Sequence, residues 1–321
     1  GTHTFNGILG AGGTINTLSG TFINAGTLYP GGQDTVGSLN VNGPFVNTGT
    51  IVIDIQATGT AGTDYDLFAI SNQVDLQGSL VLNAVGGYTV TSGDSFTPIT
   101  YGSSIGNSLV ITPIGGETVG EVYGPGAFDL VLGTAQLITF LGGDNTWNNP
   151  ANWDLGIPTI LDSVDLGAFD VTIGAAATAD SIILASGGSI TQTGGIFNLA
   201  SDSTIDGNYN LDGGTLDVGA TLTMNGSTFN LGGGTLKNAT LATTGAGSVT
   251  LSAASTLDAV TLDADLTLGD NLDVTVLNGL TLGPSSPTIF INSTANFTDL
   301  AFSGAQTFGG TGSVVFNGTC L

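Results

Sequence analysis

Two octets twenty residues apart constrain this chain more than any other feature. Tyr209–Leu216 reads YNLDGGTL and Phe229–Leu236 reads FNLGGGTL, differing only by an aromatic exchange and by Asp212 against Gly232. Near-identity at that distance implies one position in the fold visited twice. A β-sandwich gives each strand different neighbours. A β-solenoid stacks successive coils in register, so the same position meets the same environment and accepts the same residue. The local pattern reads as half-buried strands: Leu216, Val218, Ala220, Leu222 and Met224 alternate with other residues up to an Asn225-Gly226 turn signal. Val260, Leu262, Ala264, Leu266 and Leu268 do the same before a Gly269-Asp270-Asn271 break, and the alternation resumes at Leu272, Val274 and Val276. The spacing predicts coils of about 20 residues, about nine of them after residue 140, each pairing with its neighbours at ~4.8 Å. Phe197-Asn198-Leu199 precedes Tyr209-Asn210-Leu211 by only 12 residues, so either coil length varies or that match is coincidental.

Charge narrows the partners. The chain of 321 residues holds 25 acidic side chains, one basic side chain (Lys237) and no arginine, for a formal charge of −24. Nucleic acid is excluded as a direct partner, because binding phosphates requires lysine and arginine to displace counterions. Anionic membrane surfaces are disfavoured for the same reason. Self-repulsion keeps such a chain soluble although only 8% of its residues are charged, and the surface is left to Thr, Ser, Asn, Asp and the 53 glycines. No apolar run approaches the ~18 residues of a spanning helix. The longest, LVLGTAQLITFL at 130–141, is broken by Gly, Thr and Gln. The opening GTHTFNG has no signal-peptide character, so the numbering is expected to start at a mature or excised product. Cys320 is the only cysteine, which rules out an internal disulfide framework and leaves an incidental thiol or an intermolecular bridge.

One segment breaks the pattern. Residues 142–166 hold both tryptophans, Trp147 and Trp153, with Pro150 and Pro158. Bulky aromatics among turn residues suit a cap or a junction, because a solenoid's open end exposes strand edges and core. The expected division is therefore 1–140 and 141–321, a β-solenoid with a cap-like region followed by a second repeat-built β-solenoid block opened by this Trp-rich junction.

Residues 14–102 carry a family resemblance. Gly26-Thr27-Leu28-Tyr29-Pro30-Gly31-Gly32, Tyr65-Asp66-Leu67 and Gly93-Asp94-Ser95-Phe96 resemble motifs near the end of bacterial autotransporter passengers and related giant surface adhesins. In that family such motifs recur as β-helix coils and a closing cap. TWNNPANWDLGIPTILDSVDL, with Trp147, Asn152, Trp153 and Pro158, is similar to the openings of repeat blocks in bacterial surface proteins. Autotransporters continue into a membrane β-barrel, whereas here a second repeat block follows the cap-like segment. The resemblance implies a secreted or surface-displayed β-helix.

Catalysis is the rival class. A polysaccharide lyase needs a basic residue to abstract a proton and cations to hold substrate carboxylates, and Lys237 alone cannot supply both. Hydrolysis needs only two carboxylates, and the candidates are Asp64 with Asp66, Asp162 with Asp165, and Asp263 with Asp265. The simpler reading makes Asp263 and Asp265 outward strand positions and Asp66 a partner of backbone amides. His3 is the only imidazole and sits in an N-terminal segment expected to fray, so no Ser-His-Asp set or transition-metal site is assembled. No cofactor is expected; Ca2+ is the one cation that Asp and Asn oxygens leave open, although the repeated Asp spacing of calcium-binding β-rolls is missing. Sequons stand at Asn225, Asn238, Asn292, Asn296 and Asn317.

The sequence therefore leads us to expect an all-β, parallel β-solenoid fold and a non-enzymatic extracellular or cell-surface protein, either an adhesin or a self-assembling filament, sheath or layer subunit. The alternative is a secreted polysaccharide hydrolase using an Asp pair, and a third reading is a passive spacer. The expected partners are other copies, through solenoid ends or terminal strands, and glycans, without nucleic acid or membrane insertion.

Overall fold

The computed structural model describes every residue except Ala11, Gly116, Pro125, Cys320 and Leu321. Its described residues form β-strands, turns and one 3-10 turn at Pro150–Asn152, with no α-helix. They gather into two compact units, Gly1–Ala135 and Gln136–Leu321. The strand Leu137–Thr139 pairs with Ser163–Asp165 and so belongs with the second unit.

In the first unit the chain visits three sheets in fixed rotation. Thr2–Phe5, Ile8–Gly10 and Gly13–Asn16 open the three sheets, and Thr21–Asn24, Thr27–Tyr29 and Ser38–Asn42 pair with them in parallel and in the same order. Later passes repeat this rotation, so one ladder runs Leu28, Ile51, Leu80, Ile111 and another Leu39, Phe68, Ile99. Alternate side chains turn inward, and Leu28, Ile51, Leu80, Phe68 and Ile99 are fully buried. Phe45 bridges two passes, packing on Phe22 at 5.7 Å and edge-on to Phe68 at 4.8 Å. After Asp94–Thr100 the rotation runs on through Ser103–Asn107 and Val110–Thr112, and the third sheet closes antiparallel, Asp94–Thr100 pairing with Ala127–Gly133, which pairs with Thr118–Tyr123.

One corner of the first four passes is built the same way. Asn6-Gly7, Ala25-Gly26, Thr48-Gly49 and Gln77-Gly78 are the two-residue links between the first and second sheets. Each glycine lies directly under the next: a Cβ on Gly26 would stand 2.1 Å from the Gly7 carbonyl oxygen, one on Gly49 2.2 Å from that of Gly26, and one on Gly78 2.3 Å from that of Gly49. The same carbonyls accept hydrogen bonds from Thr27, Thr50 and Ser79. From the second pass on, the links from the second to the third sheet are long, at 30–37, 56–66 and 85–93.

The second unit is a 17-stranded sheet and a 3-stranded sheet. Its strand pairs are parallel, and the two octets lie directly against each other: Tyr209 opposite Phe229, Asn210 opposite Asn230, Leu211 opposite Leu231, Thr215 opposite Thr235, Leu216 opposite Leu236. Their near-identity is thus a packing requirement. Tyr209 and Phe229 stack at 5.3 Å, both fully buried. The ladder through them is Val171, Ile190, Tyr209, Phe229, Val249. Phe197 is on another ladder, between Ala177 and Leu216. Its resemblance to Tyr209 is coincidental, and Ile190 holds the equivalent position. Within Asn208–Val218 the chain turns at Gly213-Gly214, where Gly214 has φ +70° and a Cβ would meet the Gly195 oxygen at 2.3 Å.

The two tryptophans of the 142–166 segment are buried in this unit. Trp147 is fully buried against Phe197 at 4.8 Å, and Trp153 packs on Phe140 at 4.9 Å while its indole N–H donates to the Trp147 carbonyl at 2.7 Å. Asp144 organises the turn, accepting from Asn152 at 2.7 Å, Asn149 at 2.9 Å and the Thr146 amide at 3.0 Å. These bonds, the one from Asn152 foremost, hold its carboxyl down at about 2.

Candidate functional site

The carboxylate pairs read from the sequence are each taken up by backbone amides. Asp64 accepts from the Thr60 amide at 2.7 Å, whereas Asp66, fully buried, accepts from Gly37 at 2.8 Å and Asp54 at 3.0 Å. Asp162 is also buried and binds the amides of Gln136 and Thr159 and the Thr159 hydroxyl, while Asp165 caps Gly167 at 2.9 Å. Asp263 accepts from the Ser285 amide at 2.9 Å and Asp265 from that of Thr288 at 2.6 Å. In every pair both carboxylates are spent on holding a neighbouring loop.

Sequence reasoning missed Asp54, which is as buried as Asp66. It stands inside TIVIDI, where Ile53 and Ile55 are also fully buried, and an acid within an unbroken apolar run was the available signal. Asp54 accepts from the Thr35 amide at 2.8 Å and from the Asn83 side chain at 2.6 Å, and Asn83 also donates to Asp34 at 3.1 Å. Asp54 and Asp66 together pin the long link at 30–37. Burial pushes the Asp66 carboxyl up to about 7, against the lowering effect of its amide bonds, and the Asp54 charge adds to the rise. Asp66 can therefore hold a proton at neutral pH.

The remaining candidates are scattered. His3 lies in the paired strand Thr2–Phe5, opposite Phe22, and is part of the sheet. Lys237 donates to Asp217 at 2.8 Å and faces Asp258 on the other side. Asn225 and Asn238 have their side-chain amides bound to Asp206 and Asp217, whereas Asn296 and Asn317 are exposed. Cys320 lies outside the described residues. Among the described residues, no three His, Cys, Asp or Glu side chains gather where they could hold a metal ion, and no helix is long and apolar enough to cross a membrane.

Among the described residues Thr2–Phe5, Ile8–Gly10 and Gly13–Asn16 pair with one strand each, as do Ser103–Asn107 and Val110–Thr112 and the later set Leu300–Phe302, Phe308–Gly310 and Ser313–Phe316. The later set borders an apolar cleft lined by Phe297, Leu300, Phe302, Phe308, Val314 and Phe316. Phe297 is 71% exposed, Phe316 62%, and Ile8 in the first set 74%. All acidic side chains lie from Asp34 to Asp299, and Asp299 lines this cleft. No protein-family model, curated protein or solved structure matches the chain.

Proposed function

We propose that this chain is a non-enzymatic extracellular or cell-surface structural protein whose units are β-solenoids, acting as an adhesin or as a subunit of a filament, sheath or layer. The observation that carries the reading is the residue-by-residue pairing of the two octets, with the fixed three-sheet rotation of the first unit beside it. A coil that stacks on its own copy is a stiff building element whose stability sums over neighbouring repeats. Its outward positions form rows of small polar groups, such as Thr215, Thr235, Thr256 and Thr275 in one ladder, which suit contact with glycans or with other copies. The engagement of all three Asp pairs by backbone amides favours this reading over a hydrolase. The likeness of residues 14–102 to autotransporter passengers supports surface display.

Negative-stain electron microscopy over a concentration series, with and without reductant, tests it. Filaments or sheets identify a structural polymer, and their loss in reductant implicates Cys320. Isolated particles that bind on a glycan array identify an adhesin. Particles that neither assemble nor bind, or release of reducing ends from a glycan that is lost on replacing one of the three Asp pairs, overturn the proposal.

A further inference from the structure

We propose that the link at 30–37 in the first unit is a pH-sensitive latch: it lies closed over Asp54 and Asp66 while that pair holds a proton, and it opens locally, without unfolding the unit, once the proton is lost.

Asp54 and Asp66 are both fully buried, whereas the link over them is exposed at Gln33, Asp34 and Thr35. At its far end the Gly37 carbonyl accepts from the Leu67 amide, where the third-sheet ladder takes over. Before that point the link is tied to the unit through carboxylates. The Thr35 amide donates to Asp54 and the Gly37 amide to Asp66, each at 2.8 Å, while the Asn83 side chain joins Asp34 to Asp54. The backbone bonds around its turn are longer, from Gly32 to Tyr29 at 3.2 Å and from Thr35 to Gly32 at 3.3 Å. Left-handed backbone at Gly32 and Asp34 folds the link back on itself. A Cβ on Gly31 would stand 2.3 Å from the Gly37 nitrogen and 2.7 Å from an Asp66 carboxylate oxygen, so the turn sits directly on the acid. Two of the sequence motifs, Gly26–Gly32 and Tyr65-Asp66-Leu67, thus meet at this one place. The other long links close on Asp64 and Asp94 through the Thr60 and Thr91 amides, and both of those acids keep contact with solvent. Of the three long links, the one at 30–37 is the one that depends on buried acids.

No cation relieves the pair. The titratable groups on the segments around Asp66 are Asp34, Asp54, Asp64, Tyr29 and Tyr65, and the strands Leu67–Ile70 and Ser79–Ala84 add none. Residues 1–135 hold no lysine or arginine, and His3 is on the first sheet, opposite Phe22. Burying two neighbouring carboxylates without a cation disfavours charging both. A proton resolves this while the link is closed, whereas an open link hydrates both acids and needs no proton. Burial, with the Asp54 charge adding to it, holds the closed Asp66 carboxyl at about 7, and opening returns it to the ordinary carboxylate range near ~4. Opening therefore releases a proton between those limits. The closed form is fully favoured below about pH 4, loses about tenfold per pH unit up to about 7, and changes no further above it.

Native-state hydrogen exchange on the 321-residue chain, read amide by amide from about pH 4 to about pH 9 with and without low urea, tests this. Thr35 and Gly37 are expected to exchange at least about tenfold faster than Ser79, whose amide is bound on the short corner. They are expected to ignore low urea, because a local opening exposes little surface. Their protection should fall about tenfold per pH unit from about pH 4 to about 7, up to about a thousandfold in all, and then level off. Asp66→Asn keeps an oxygen for the Gly37 amide but no group that titrates, and it flattens this profile. Protection at Thr35 and Gly37 that equals that of Ser79 and shares its urea dependence at every pH overturns the latch, because the link then opens only when the unit unfolds. Protection independent of pH, or a slope that survives Asp66→Asn, overturns it as well. Should that variant fail to fold, the wild-type pH profile and its urea dependence decide alone.

Discussion

Replacing Gly49 by alanine is expected to destabilise the first unit by about 2–4 kcal/mol. Gly49 has no positive φ, so the cost is steric and not conformational. Its added methyl would lie 2.2 Å from the Gly26 carbonyl oxygen, against an ordinary contact of roughly 3.5 Å. The obstacle is backbone, so two passes of the chain must separate. Separation breaks the bond from the Thr50 amide to that oxygen, 2.8 Å long and worth about 0.5–1.5 kcal/mol. It also shifts Ile51 and Ile53, both fully buried, and backbone shifts of this kind cost about 1–3 kcal/mol. Hydrogen exchange read at Thr50 and Ser79 isolates the effect from the second unit. The matched control is Gly219→Ala, where the nearest atom is the Leu199 oxygen at 3.8 Å; there alanine is neutral or stabilises by up to about 1 kcal/mol. Loss of less than 0.5 kcal/mol of protection at Thr50 would refute the reasoning, because it would mean that the stacked corner has room for a side chain.

Further expectations concern the buried polar groups. Folding raises Asp66 from the ordinary carboxylate range to about 7, so its contribution is fully present below about pH 4 and is lost as pH rises through 7. The shift of about three units corresponds to roughly 4 kcal/mol, and a carbon-detected titration of the Asp66 carboxyl with a midpoint under 5 would contradict it. Tyr209→Phe removes the hydroxyl that donates to Gln192 at 2.7 Å inside the core, at a cost of about 1–3 kcal/mol for the orphaned oxygen, measured by urea unfolding followed through Trp147 and Trp153. Asp144 sits low, at about 2, so its grip on Asn149 and Asn152 is present above about pH 4 and is lost as pH falls toward 2; a change in tryptophan fluorescence in that window, absent in Asp144→Ala, reports it. Lys237→Ala removes a half-exposed ion pair and should cost under about 1 kcal/mol by the same unfolding assay.

The second unit was the more legible half. Alternation from Leu216 to Met224 and from Val260 to Val276 appears as buried and outward positions, with only Ala220 and Leu272 partly exposed, because a half-buried strand writes its period directly into the residue types. Parallel pairing followed from the octets for the same reason. The first unit hid its order, since its passes differ in length and only the short corner is constant. Asp54 stood out as an acid in the apolar run TIVIDI, but what holds it was not legible, because its partner amide lies in a distant link: Thr35 is 19 residues earlier. The Phe197 match misled because aromatic and leucine positions recur on more than one ladder, and only pairing tells them apart.

The contrast between the corners of the first unit has a practical meaning. Where Gly26, Gly49 and Gly78 stack carbonyl on Cα, nothing can be added; across the pass, the links at 30–37, 56–66 and 85–93 differ in length while the ladders on either side stay in step. The fold thus separates a fixed seam from a permissive one. Foreign peptides spliced at the outermost turn of the last link, Gly86-Gly87, both glycines left-handed and the second facing open space, would be presented at a known spacing from the neighbouring links, making this face a ready scaffold for arrayed epitopes or enzymes.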